Sequence, residues 1–145
     1  MTDVSAQLAL ARRCAAKMLE ADACTRSMGI QIEIPAAGAA VASMRVRDDM
    51  VNGFNICHGG IVFLLADTAF AFACNAYDRQ TLSVAATIDW RRQALRGEEL
   101  RAIAREVSQD GRHGDYSVRV ENQDARLVAE FRGRSITRKP RLLDD

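Results

Sequence analysis

From Gly60 to Ala76 the chain is apolar on every face of a helix, and only Asp67 and Thr68 interrupt the run before Asn75 closes it. A helix of that kind is wrapped by other structure rather than laid on a surface. An ionised carboxylate inside it costs several kcal/mol in lost hydration or shifts its pKa upward. Asp67 is therefore either used, as a general base or nucleophile, or satisfied by hydrogen bonds as a structural residue. Any fold for this chain has to enclose that helix and account for that carboxylate.

With 145 residues, 48% apolar and 27% charged, the chain suits one domain with a real core and is not disordered. Its formal net charge of +1 gives no overall electrostatic case for nucleic acid or an anionic membrane surface, so any basic site must be local. Cys14, Cys24, Cys57 and Cys74 form no C-x-x-C pair, and free thiols in a reducing, cytoplasmic compartment are expected rather than disulfides or zinc. The first twenty residues place acidic and polar groups ahead of the apolar ones, the wrong order for a secretory signal. The central run falls short of the roughly 20 apolar residues a membrane span needs.

An amphipathic helix is expected over about 4–20, with Leu8, Ala11, Ala15, Met18 and Leu19 at helical spacing. Ile30, Ile32 and Ile34 alternate with polar residues as a strand over 29–34 that stops at Pro35, and a second strand follows over about 41–47. After the central helix come four strand-like runs, 82–92, 99–108, 116–121 and 127–137. Short polar connections join them, so neighbours are expected to pair as an antiparallel meander. The tail after 139 is expected to fray. The order of helix, two strands, buried helix and four strands implies an α+β domain over 1–145 in which one sheet wraps one helix.

Gly59 and Gly60 precede the central helix and expose backbone N–H groups at the positive end of its dipole, a receiver for a developing oxyanion or simply a tight turn. His58 beside them reads as a catalyst or as a helix cap, and His113, in a glycine-rich turn, as solvated. Two separated histidines and unpaired cysteines give no metal-ligand spacing. Neither a G-x-S-x-G elbow nor a phosphate-binding G-x-x-x-x-G-K-[ST] loop is present.

Asn52-Gly53, Cys57-His58-Gly59-Gly60, Leu65-Ala66-Asp67-Thr68-Ala69-Phe70-Ala71 and Thr87-Ile88-Asp89-Trp90 together resemble the PaaI-type hotdog-fold acyl-CoA thioesterases of the phenylacetate pathway. Asp22-Ala23-Cys24, Met28-Gly29-Ile30 and the segment Phe131 to Ser135 extend the resemblance over most of the chain. It implies a hotdog fold: a long central helix wrapped by an antiparallel sheet of about five or six strands, with an N-terminal helix. Chains of this family pair through their sheets, and two dimers usually make a tetramer.

The resemblance implies that Asp67 is the base or nucleophile toward a thioester and that the Gly59 N–H polarises its carbonyl. Asn52 would hold the lytic water or the Asp67 carboxylate, and His58 would orient the site or meet the thioester sulfur; a loop cap and a helix cap are the plainer alternatives. Gly60, Thr68 and Ser83 or Thr87 are expected nearby. Phe54, Phe63, Phe70, Phe72 and Trp90 would wall an acyl pocket, and Arg91, Arg92, Arg112 and Arg134 are candidates for the phosphates of coenzyme A. The expected reaction is hydrolysis of phenylacetyl-CoA, hydroxyphenylacetyl-CoA or a similar aryl or medium-chain acyl-CoA, with no metal or redox cofactor required. A non-catalytic acyl-CoA-binding hotdog module, or a hotdog dehydratase, is the alternative.

Helix geometry adds one constraint. Gly59 and Asp67 are eight residues apart, roughly 12 Å along a helix axis at about 1.5 Å per residue. One thioester carbonyl does not reach both. The expected solution is a homodimer with antiparallel central helices, each site joining Gly59 of one chain to Asp67 of the other.

Overall fold

The computed structural model describes residues 3–143. Helix α1, Val4–Ala21, starts where the Asp3 carboxylate accepts the Ser5 amide at 2.9 Å, and it buries Ala11, Cys14 and Ala15 on one face. A second, short helix, α2 over Ala23–Ser27, follows at once. Asp22 caps it, accepting the Thr25 amide at 3.0 Å and the Thr25 hydroxyl at 2.6 Å. The sequence periodicity does not reveal α2, because five residues are too few to show a helical repeat.

Strands β1, Gln31–Ala36, and β2, Ala39–Arg45, form the expected hairpin. β1 runs through Pro35 instead of stopping before it. It is an edge strand with one neighbour, and the pairing is irregular between Glu33 and Ala36, which is where a residue without an N–H is tolerated. A 3₁₀ turn at Asp48–Met50 leads to the central helix α3, Gly59–Cys74. Strands β3, Thr81–Trp90, β4, Glu99–Asp110, β5, His113–Glu121, and β6, Leu127–Thr137, complete the chain. All six strands pair antiparallel in one sheet, in the order β1-β2-β4-β5-β6-β3.

That order corrects the expected meander. β4, β5 and β6 follow one another as hairpins, but β3 pairs with β6, not with β4. The segment 91–98 crosses the end of the sheet to carry the chain from one side to the other. It is held there by hydrogen bonds from the Cys57 amide to Ala94 O (2.8 Å) and from the Val46 amide to Glu98 O (2.9 Å). Polar turn residues mark where a strand ends but not which strand it will pair with, so the crossover is not legible in the turns.

α3 packs on the inner sheet face, where Ala40, Ala42, Ala102, Ala104 and Ala129 are buried and let the helix approach closely. Gly133 extends this: a Cβ there would lie 2.6 Å from the Phe70 ring. The helix is not enclosed all round as its composition suggests. Val62, Leu65, Ala66, Ala69, Phe70, Phe72 and Ala73 are buried, whereas Gly60, Leu64, Asp67, Thr68 and Ala71 form a half-open stripe at helical spacing. At its far end Asn75 ties the helix to β3, accepting the Thr81 amide at 2.9 Å and donating to Thr81 O at 3.0 Å. The expected fraying after 139 is not seen through Leu143: Asp78 accepts from the amides of Leu142 and Leu143 and pairs with Arg141. Among the described residues no helix is long and apolar enough to cross a membrane.

Candidate active site

Asp67 lies midway along the open stripe of α3, half-buried, with no hydrogen bond or ion pair to any described residue. Burial without compensation pushes its carboxyl above the ordinary range near 4. Its neighbour Thr68 turns its hydroxyl back to Leu64 O at 2.7 Å, satisfying itself within the helix. Cys57 and Cys74 carry thiols pushed up by burial to about 11 and about 12, so neither is a ready nucleophile.

The helix start forms a second locus. His58 precedes it in extended conformation and caps it with its backbone only, its carbonyl accepting from Ile61 and Val62 at 2.9 and 3.2 Å. Its imidazole is exposed and makes no cap hydrogen bond. Among the described residues the amides of Gly59 and Gly60 have no acceptor, as expected for the first positions of a helix. The Gly59 carbonyl does have a partner: the indole N–H of Trp90, at the end of β3, donates to it at 3.2 Å. That contact fixes the helix start against the sheet edge. The sequence pattern assigns Trp90 to an acyl pocket and does not reveal this bond, because it spans 31 residues and depends on β3 lying beside α3.

Asn52, Gly59, Trp90, Arg91 and Arg92 line one cleft of about 290 Å³ at this end of the helix. Within it the Asn52 side-chain oxygen accepts the amides of Phe54 (2.9 Å) and Ile56 (3.2 Å), shaping the loop that delivers His58. Its amide nitrogen makes no bond to any described residue. Asp67 does not line this cleft, so within one chain the two halves of the expected constellation stay apart.

Several other expected residues stand elsewhere. Phe54 is 82% exposed at a loop tip and walls nothing, because the Asn52 turn points it away from the core. Phe70 and Phe72 are buried core; Phe70 is wedged against Tyr116 and Phe131 with ring centroids 5.4 and 5.9 Å away. Phe63, half-buried, meets Phe131 edge-on at 5.2 Å. Ser83 is exposed on β3, opposite Ser135 of β6. Thr87 alternates with core-packed Ile88 and therefore points to the other side of the sheet, away from Asp67. Arg134 also lies on that outer side, paired with Asp115 at 3.3 Å, and Arg91 pairs with Glu130 at 3.1 Å. A cavity of about 680 Å³ lies on this outer face among Thr87, Arg105, Ser117 and Arg132, with none of Asn52, His58, Gly59 or Asp67 in its lining. Arg112 sits in the β4–β5 turn, its Nε on Thr137 O at 3.1 Å.

A long helix carried on one face of a six-stranded antiparallel sheet is the hotdog layout, and the matches to known proteins put it in the class of hotdog-fold thioester hydrolases. The chain belongs to the thioesterase superfamily, whose family model matches residues 54–129, and within it to the PaaI-type branch. It is 43% identical over 118 residues to the acyl-coenzyme A thioesterase PaaI of Escherichia coli K12, covering 81% of this chain and 84% of that protein. The structure of the E. coli PaaI protein from the phenylacetic acid degradation operon superposes with a TM-score of 0.91 at 39% identity, over 93% of this chain and 98% of that one. The structure of a mutant of the phenylacetic acid degradation protein PaaI from Thermus thermophilus matches with a TM-score of 0.76 at 31% identity, over 79% of this chain and 98% of that one.

Proposed function

We propose that this protein hydrolyses an aryl or medium-chain acyl-CoA, with phenylacetyl-CoA and its hydroxylated relative as first candidates, and that each site is shared by two chains. The observation that carries the reading is Asp67: half-buried, raised in pKa and without a partner among the described residues, on the one stripe of α3 that the chain leaves open. A structural aspartate satisfied by hydrogen bonds would not stand so.

The stripe also points to what covers it. β3 is a sheet edge with no strand beyond it among the described residues, and it exposes Leu82 (49%) and Val84 (55%). A second copy related by a twofold axis would extend the sheet through β3 and lay its α3 antiparallel on this one. The partner's Gly59 amide would then approach Asp67. The thioester carbonyl oxygen would accept that N–H, while Asp67 takes a proton from water as the water oxygen bonds to the carbonyl carbon. Collapse of the tetrahedral intermediate breaks the C–S bond and returns the proton to the coenzyme A thiolate. Asp67 attacking the carbon itself, with water then cleaving the anhydride, reaches the same products. His58, exposed beside the amides, would meet the sulfur, and the Nδ2 of Asn52, bonded to no described residue, would hold water. Phe63 and Trp90 are the aromatic surfaces left for the acyl group. The homodimer, and a pairing of dimers beyond it, are part of this proposal.

The direct test is release of free thiol from phenylacetyl-CoA and a panel of acyl-CoA thioesters. Turnover that disappears in Asp67→Asn is the expected result. Tight binding without thiol release would mean a non-catalytic acyl-CoA-binding module instead.

A further inference from the structure

The two glycines that open α3 differ in what surrounds them. Glycine is a poor helix former, and neither Gly59 nor Gly60 has the positive φ that calls for it at Gly29, Gly38, Gly97 and Gly111. At Gly59 the reason is a neighbour: a Cβ there would lie 3.2 Å from both Cε2 and Nε1 of the Trp90 indole, so the ring excludes a side chain. At Gly60 the chain supplies no such reason. Beyond its own neighbours and the helix backbone, no described atom lies within 4 Å of where its Cβ would be, and the residue is exposed on the open stripe of α3. Backbone left bare in this way lets a ligand come close to its amide.

Trp90 links the two positions, and it is carried on rigid structure. It pairs with Ala129, a buried residue of β6, and the amides of Arg91 and Arg92 that follow it both bond Val128 O, at 2.8 and 3.1 Å. The irregularity in the β3–β6 pairing lies between Ser83 and Ala85, toward the other end of the strand. From this base the indole N–H donates to Gly59 O at 3.2 Å. That oxygen belongs to the same planar peptide unit as the Gly60 N–H. A donor on the carbonyl of a peptide polarises the whole unit and makes its N–H a stronger donor in turn. The same bond holds the plane of the unit at the head of the helix, where the first amides have no acceptor among the described residues.

We infer that Trp90 is a positioning residue of the shared site: its indole N–H fixes and polarises the Gly59–Gly60 peptide, so that the Gly60 N–H joins that of Gly59 as a second donor to the thioester oxygen. The inference rests on the thioester-hydrolase reading above. As water adds to the carbonyl carbon, the charge that develops on oxygen meets two N–H groups at the head of α3, and the second is the one that Trp90 strengthens. This role is separate from the aromatic surface that the ring offers an acyl group. Contact with the ring is felt in ground state and transition state alike and so in KM, whereas the N–H acts as charge develops and so in kcat.

Trp90 is the chain's single tryptophan, so incorporating an analogue alters this position alone. The test compares full-length protein carrying tryptophan, a ring-fluorinated tryptophan, and benzothienylalanine, which keeps the shape of the indole and replaces its N–H with sulfur; Trp90→Phe is a second variant without the donor. With phenylacetyl-CoA, benzothienylalanine and Trp90→Phe should lower kcat roughly three- to tenfold with KM unchanged for the isosteric analogue. The fluorinated ring, which keeps the donor, should retain at least the wild-type kcat. In ¹⁵N-glycine-labelled protein the Gly60 amide proton, assigned by its loss in Gly60→Ala, should move upfield when sulfur replaces the N–H, while that of Gly111 stays in place. An unchanged kcat in the benzothienyl protein, or a rise in KM alone, overturns the inference and leaves Trp90 as a wall of the cleft; so does a Gly60 resonance that does not move. If the wild type releases thiol from no thioester, the hydrolase reading fails, and the Gly60 resonance still decides whether Trp90 acts on that peptide.

Discussion

Asp67 is the residue whose burial is least compensated by what surrounds it among the described residues. Its pKa is raised by burial alone, so the folded state holds the proton more tightly than the unfolded chain does. The sign follows: this group favours the fold at low pH, and that contribution is lost as pH rises through the raised folded-state value. Asp67→Asn removes the penalty and should melt no lower than wild type at neutral pH, yet turn over at least about a hundredfold more slowly, as loss of a general base requires. Thermal melts and initial rates on the same preparation check both. Wild-type kcat/KM should fall as pH drops through a value above the ordinary carboxylate pKa near 4, and a profile flat to about pH 4 would remove Asp67 from the chemistry. The sequence shows this residue because a lone charge in an apolar helix has few explanations. It does not show that Phe70 is core and Phe54 solvent-exposed, since both are phenylalanines near the helix and only packing against Tyr116 and Phe131, or the turn at Asn52, separates them.

Among the elements, α3 is legible because its apolar run and its Gly-Gly start are local signals, and β6 is read with its observed bounds for the same reason. The place of β3 is not legible, because pairing with β6 is a contact between segments distant in the chain, Thr81 with Thr137, that no local pattern encodes. The helix and sheet meet most tightly at Gly133, where any side chain would enter the Phe70 ring. Gly133→Ala should destabilise by roughly 1–3 kcal/mol through overpacking, and paired Phe70→Leu should recover part of it; denaturant titration of the three variants tests the contact. At the helix start, a Cβ on Gly59 would sit 3.2 Å from the Trp90 indole. Gly59→Val should therefore lose turnover by crowding the amide, whereas Trp90→Phe, which deletes the N–H bond to the Gly59 carbonyl, should lower turnover only partly. Equal rates per folded molecule in Gly59→Val and wild type would reduce the glycine to a turn.

For the whole molecule, the separation of the Gly59 cleft from Asp67 makes a sharp demand. Inactive Asp67→Asn chains and inactive Gly59→Val chains, exchanged by refolding, give mixed dimers in which one site carries both lesions and the other neither. Random pairing makes about half the dimers mixed, so activity should return to roughly a quarter of wild type. Persistent inactivity with confirmed exchange would mean that the site is not shared. The crossover that carries the chain from β3 to β4 has a consequence for timing. β3, the strand proposed to meet another copy, has β6 as its single in-chain neighbour among the described residues, and β6 is synthesised well after it. An emerging chain short of Leu127 holds β3 with no strand beside it, so the proposed surface for self-association matures only after β6 has emerged. If copies pair through β3 as proposed, nascent chains on one messenger are thereby kept from joining before each has closed its own sheet.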